Sequence, residues 1–278
     1  MPFTLAHPAV VAPLLRRSGP TRFGIVPGAV AAGAVAPDLG WYLPPWLGIE
    51  VPPGTLTHSL LGALTVDLVV GLTAYVVWRL VVRRPLLALL PDPWRTAALD
   101  ATRSVAPGRG PAAAVGLVVV SLVLGTLSHV GLDVLTHDST ATPEPLLHAA
   151  VAGRSWADVL QVALSVLGLI VLGWLLVAWL PGVARPLGPL ARWRPMLLLA
   201  GAVAAASVLG AVERLAVTDP TGAFGYVSAA LFGAGWWAAV VAVGYAAGWW
   251  LLRLSRRRGR PAAPATSPDA PPVSRTPG

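Results

Sequence analysis

The chain has 278 residues, 55% of them hydrophobic and only 12% charged, with a formal net charge of +8. A soluble domain carries about 25% charged residues, and one core cannot hide this much apolar surface, so the composition excludes a soluble globular protein and points to lipid as the solvent. There is no cysteine, which excludes disulfides and thiolate metal sites, and every basic residue is Arg with no Lys or Asn anywhere, the codon bias expected of a GC-rich bacterial genome.

Residues 1–16 are a short apolar segment followed by Arg17, the second of an Arg16-Arg17 pair. They are too few to cross a bilayer, and the basic pair follows the apolar stretch where a signal peptide would place it before. The segment is expected to lie in the interface or to re-enter the bundle.

Spanning as a helix takes about 20 mostly apolar residues. Six windows qualify, at roughly 22–43, 57–80, 112–136, 157–180, 195–217 and 226–252. The first is rich in Gly and Ala and carries Pro37 and Asp38, and the second opens on Thr57-His58-Ser59. The expected architecture is all-α, a polytopic membrane bundle of about six transmembrane helices over residues 1–255. From 256 onward the chain is rich in Pro, Ala and Arg, the composition of a disordered cytoplasmic tail.

The loops orient the bundle. Cytoplasmic loops are enriched in basic residues. With both termini inside and six alternating spans, the inner segments hold Arg16, Arg17 and Arg22, then Arg79, Arg83, Arg84, Arg95, Arg103 and Arg109, then Arg185, Arg192 and Arg194, and in the tail Arg253, Arg256, Arg257, Arg258, Arg260 and Arg275. Only Arg154 and Arg214 fall outside. Asp38, Glu50, Asp133, Asp138, Glu144, Asp158, Glu213 and Asp219 fall at or near the outer face. The positive charge therefore marks a cytoplasmic surface facing anionic headgroups and calls for no nucleic acid. The expected location is a bacterial cytoplasmic membrane, crossed several times. Oligomeric state is not legible.

Chemistry concentrates in SHVGLDVLTH, residues 128–137. His129, Asp133 and His137 are spaced i, i+4, i+8, and at about 100° per residue successive members differ by only about 40° around a helix. Two imidazoles and a carboxylate on one face are a ligand set for zinc, manganese or iron, although His137 falls at or just past the helix end. The topology brings Asp38 and His58 to the same depth. Solvated interfacial residues are the plainer account of each taken singly; for the set a functional site is favoured, because ionisable residues in spans are functional candidates by default.

Four other features stay open. Asp67, deeper in the second span, is either a functional carboxylate or a hydrogen-bonding group within the bundle. Glu213 and Arg214 close the fifth span, as an anion site or, on balance, a local ion pair. His7 falls on the cytoplasmic side unless its segment re-enters, and His148 is expected in solvent. Trp236, Trp237, Trp249 and Trp250 read as interfacial anchors. There is no H-E-x-x-H, P-loop, G-x-S-x-G or G-x-G-x-x-G, which removes the usual protease, nucleotide and serine-hydrolase signatures.

MPFTLAHPA at the start, Ala36-Pro37-Asp38, Leu56-Thr57-His58-Ser59-Leu60, Ser128-His129 with Asp133, and Thr136-His137 together resemble the bacterial membrane-protein family called domain of unknown function 4184, over roughly residues 1–140. The pattern is in turn distantly similar to inner-membrane metal-dependent hydrolases. That resemblance implies His58, His129 and Asp133 as metal ligands, with Asp38 a further ligand or base. The resulting expectation is a membrane-embedded hydrolase with zinc or manganese held by His58, His129, Asp133 and His137. Asp38 handles the water, and the substrate is a phosphoester or lipid-linked molecule at the outer face. The alternatives are an ion-coupled carrier using Asp67, or a non-catalytic membrane protein.

Overall fold

The computed structural model describes residue 4 and residues 6–9, 25–92, 94–101, 110–136, 150–151, 154–179 and 193–258. Apart from a two-residue antiparallel pair, Ala150–Val151 with Arg154–Ser155, the described regular structure is helical. In chain order the helices are α1 (Pro27–Val35), α2 (Leu39–Tyr42), α3 (Gly54–Thr57), α4 (Leu60–Leu64), α5 (Val66–Val76), α6 (Arg83–Leu87), α7 (Trp94–Ala101), α8 (Pro111–Thr136), α9 (Trp156–Trp179), α10 (Arg194–Val217) and α11 (Gly222–Arg258). His137, His148 and the tail from 259 onward lie outside the described residues.

Three stretches are long and apolar enough to cross a membrane, Pro111–Val134, Arg194–Val217 and Gly225–Arg256, with a shorter apolar stretch, Val159–Leu175, inside α9. Their outward faces are aliphatic: Val120, Val162, Leu209 and Leu251 are all exposed. The exterior therefore suits hydrocarbon, where apolar side chains need no cover.

The first two apolar windows are not single helices. Pro37 has no N–H to donate into α1, so the helix ends at Val35 and passes through a 3-10 turn, Ala36–Asp38, into α2. The Gly33 carbonyl, deprived of that donor, accepts from the Ala36 amide and from the Thr126 hydroxyl of α8. The second window breaks at His58 and Ser59, where Ser59 caps α4 by accepting the Gly62 amide, and again at Thr65. It then continues through α5 into a π-helical stretch, Val77–Val82. Broken helices are tolerated at membrane depth where the backbone is buried in protein or lines a cavity.

Bonds across the bundle fix helix directions. The Val26 amide donates to Ser121, and further on His129 meets the Ala34 carbonyl, so α1 and α8 run parallel. Their backbones touch: a Cβ at Gly33 would lie 2.0 Å from the Leu122 carbonyl oxygen, and one at Gly125 2.1 Å from that of Val30. Only glycine permits this approach, the small-residue packing of membrane helices. Gly28 faces Tyr75 and Trp78 whereas Gly71 faces Gly33 and Ala36, so α5 runs antiparallel to α1. Likewise Gly210 meets Trp237 and Gly233 meets Arg214, so α10 and α11 are antiparallel. Tyr42 packs beside Gly235 and Phe232 near one end of α11, and Trp250 donates to the Val81 carbonyl near the other. One end of the bundle thus gathers Asp38, Tyr42, His58, Asp133 and Glu213, and the opposite end gathers Arg79, Arg83 and Arg84.

Candidate metal centre

Each side chain at the first end is aimed by a local feature already named. The 3-10 turn carries Asp38 inward, where it is fully buried. The break between α3 and α4 holds His58, whose Nδ1 lies 3.1 Å from the Gly54 carbonyl and 3.0 Å from Thr57 Oγ1. The close α1–α8 approach puts His129, also fully buried, with Nδ1 2.8 Å from the Ala34 carbonyl. Asp133 follows one turn later on the same face of α8 and is buried.

Four atoms form a closed ring. His58 Nε2 lies 3.3 Å from Asp38 Oδ1 and 3.2 Å from Asp133 Oδ2, while His129 Nε2 lies 3.6 Å and 3.4 Å from the same two oxygens. A carbonyl only accepts, so the Nδ1 of both imidazoles carries the hydrogen, and in the neutral rings each Nε2 presents a lone pair. Two lone pairs then face two carboxylate oxygens, and in keeping with this neither His129 Nε2 nor Asp38 Oδ1 has a hydrogen-bond partner among the described residues. Such a set is held together by a positive charge, either a proton on an imidazole or a cation among the four atoms.

The residues fit a metal ion by size and by charge. Two overlapping sets, Asp38 with His58 and His129, and His7 with His129 and Asp133, each offer donor atoms within 4.8 Å of one another and could hold a metal ion. Tetrahedral bonds of about 2.0–2.1 Å place neighbouring ligands about 3.3–3.4 Å apart, close to the four His–Asp distances of the ring. Two carboxylates balance a divalent ion, which matters in a low-dielectric interior. The Ala34 and Gly54 carbonyls stand where outer partners would fix the rings of metal-ligating histidines.

His7 joins the cluster, against the cytoplasmic placement that six alternating spans assign it. Residues 6–9 form a 3-10 turn packed against α9, where a Cβ at Gly168 would strike Ala6. The His7 ring is fully buried, stacks on His129 with centroids 3.8 Å apart, and sets Nε2 3.4 Å from Asp133 Oδ1. Thr4 donates to Asp38 Oδ2 at 2.7 Å. The signal in the sequence was a histidine within an apolar segment too short to span.

The family model described as "Domain of unknown function (DUF4184)" matches residues 1–247. The chain belongs to the DUF4184 family. That match reaches well beyond the motifs of the first 140 residues and takes in α9, α10 and most of α11, so in this DUF4184 chain the later helices are part of the family unit. No curated protein and no solved structure gives a significant match.

Two expectations change. Among the described residues no salt bridge joins Glu213 to Arg214, and their polar atoms turn to other partners. Glu213 accepts from the Trp46 indole at 2.6 Å and from that of Trp237 at 2.5 Å, while Arg214 donates to the carbonyls of Leu43 and Trp41. Together they fasten the loop after Asp38 onto α10 and α11. Trp237 and Trp250 also direct their N–H groups into protein and not toward headgroups.

Proposed function

We propose that this DUF4184 protein is a multi-pass protein of a bacterial cytoplasmic membrane that binds one divalent metal ion, zinc or manganese, through Asp38, His58, His129 and Asp133. The ring of four convergent donor atoms carries this reading. Six spans with both termini inside are supported by the helix directions, by the basic residues at the end opposite the cluster, and by the broken first and second segments being buried at their breaks. The cluster then faces the outer leaflet. His137 would add a ligand only if the chain past Thr136 turns back toward the ring.

The activity we assign is hydrolysis of a phosphoester, lipid-linked or otherwise membrane-bound. A bound divalent ion supplies Lewis acidity, which makes water a nucleophile near neutral pH. With Nε2–H directed at Asp133, His7 keeps a lone pair on Nδ1, and it is the imidazole held by no backbone carbonyl. It is the group to take a proton from water and return it to the leaving alcohol as the P–O bond breaks. Asp38, expected to handle the water, is read here as a ligand, because Thr4 donates to its Oδ2 and leaves Oδ1 facing His58 and His129.

Protein purified without chelator should contain about one metal ion per chain, and His129→Ala should lose it. His7→Gln should keep the metal and lose phosphate release from phospholipid substrates in mixed micelles. A metal-free wild-type protein sinks the site; a metal-loaded protein inert toward every phosphoester sinks the hydrolase and leaves the site standing.

One observation favours a carrier as the second reading. Asp67 is buried and neither of its carboxylate oxygens has a hydrogen-bond partner among the described residues, as at proton- or ion-coupling positions in transporters. Flux into proteoliposomes abolished by Asp67→Asn would select it. A non-catalytic protein predicts neither metal nor flux.

A further inference from the structure

Beside the cluster lies an apolar cavity of about 140 Å³, lined by Ala6, His7, Leu132, Leu164, Gly168 and Val171 among others. It lies between the turn at residues 6–9, α8 and α9 and is open on one side. Among the described residues its one ionisable wall is His7, whose Nδ1 has no hydrogen-bond partner among them. An apolar cavity of about 150 Å³ stays dry and accepts a hydrocarbon of roughly benzene size, so water is a poor occupant. Leu167, which also lines it, is 55% exposed, and Val166 and Ile170 beside it on α9 are exposed too. The outer rim is therefore apolar and continuous with a helix face suited to lipid, while the inner wall is the imidazole stacked on His129.

We propose that this cavity seats a segment of one hydrocarbon chain of a membrane amphiphile, whose phosphorylated head then lies at the His7–His129 end. The proposal rests on the phosphoester reading and specifies its substrate class: a lipid entering sideways from the bilayer, and not a soluble phosphate ester. Two features make the seat selective. Gly168 has no side chain, and adding one would drive the N-terminal turn off α9. The polar wall is confined to one residue, so a chain bearing polar groups along its length would leave them unsatisfied.

The test uses full-length protein in nanodiscs containing a phosphatidic acid with a photoreactive diazirine on its acyl chain. After irradiation, labelling should concentrate on the peptide carrying Leu164, Leu167 and Val171, above the level on the exposed face of α10 around Leu209. Leu164→Trp, which fills the cavity, should remove most of that enrichment and leave the metal content unchanged; Val171→Trp serves if the first variant does not fold. Even labelling of α9 and α10, or enrichment that survives both substitutions, overturns the proposal. Metal content is read on the same samples. Loss of metal in the wild type with enriched labelling retained would refute the metal centre and not the lipid seat, and the reverse result would refute the seat alone.

Discussion

Thr4 donates its hydroxyl hydrogen to Oδ2 of Asp38 at 2.7 Å, joining the start of the chain to the turn that ends α1. The bond leaves Oδ1 to face His58 and His129. It makes Thr4 part of the scaffold around Asp38. Outer partners of metal ligands are worth about 10–100-fold in affinity. Thr4→Val is therefore expected to weaken metal binding by about tenfold with little change in melting temperature, and Thr4→Ser to restore it; competition against a fluorescent chelator measures both. Equal affinities in all three proteins would detach Thr4 from the site.

Removing a ring member is more severe. With His58→Ala or His129→Ala, three donors remain, and the two carboxylates lose part of their compensation in the interior. Both variants should be recovered from membranes with metal below stoichiometry by elemental analysis. Asp38→Asn keeps the shape but removes one negative charge, so it should bind a divalent ion far more weakly than the wild type. Wild-type metal content in Asp38→Asn would mean that the carboxylate is no ligand.

The α1–α8 crossing predicts an unequal response among glycines. A side chain at Gly33 or Gly125 meets backbone that cannot rotate away. Overpacking costs typically about 1–3 kcal/mol, and Gly125→Leu should reach or exceed that, seen as a lowered melting temperature and loss of the monodisperse peak in detergent. Gly116, on the same helix, has nothing within 4 Å of a Cβ. Gly116→Ala should be neutral or stabilising by up to about 1 kcal/mol, the helix-propensity difference.

Glu213 serves two indoles at once. Glu213→Leu strands both N–H groups, and an unsatisfied buried donor costs about 1–3 kcal/mol. The part-buried Trp237 should bear most of this, and Trp46, which is exposed, much less. Glu213→Gln keeps an acceptor oxygen and should recover part of the loss. Arg214→Lys should behave like Arg214→Met, because one ammonium cannot reproduce the fork that reaches Leu43 and Trp41 together. Thermal unfolding followed by tryptophan fluorescence distinguishes these outcomes.

Hydropathy, the Arg distribution and helical spacing are all properties of the chain taken in order. They were enough to read a membrane protein, a basic end, and His129 with Asp133 on one face of α8, since i and i+4 neighbours need no partner helix to be placed together. Asp38 and His58 were legible as residues of similar depth, because alternation of spans assigns depth.

Meeting in space is another matter. The glycines at 33 and 125 bring α1 onto α8 closely enough for the Ala34 carbonyl to reach His129, and that approach follows from the shapes of two surfaces far apart in sequence. The breaks at Pro37 and Ser59 look in sequence like imperfections of spans; in the folded chain they turn Asp38 and His58 into the same small volume. His7 is the clearest case. Six alternating spans send it to the cytoplasmic side, whereas the packing of its short segment against Gly168 and His129 brings it to the ring. Glu213 and Arg214, adjacent and opposite in charge, resemble an ion pair until the indoles of Trp46 and Trp237 and the carbonyls of Leu43 and Trp41 arrive from other segments. Local spacing determined which side chains share a helix face. Only the tertiary packing decided which four of them point at one centre, because that depends on how closely separate backbones can approach.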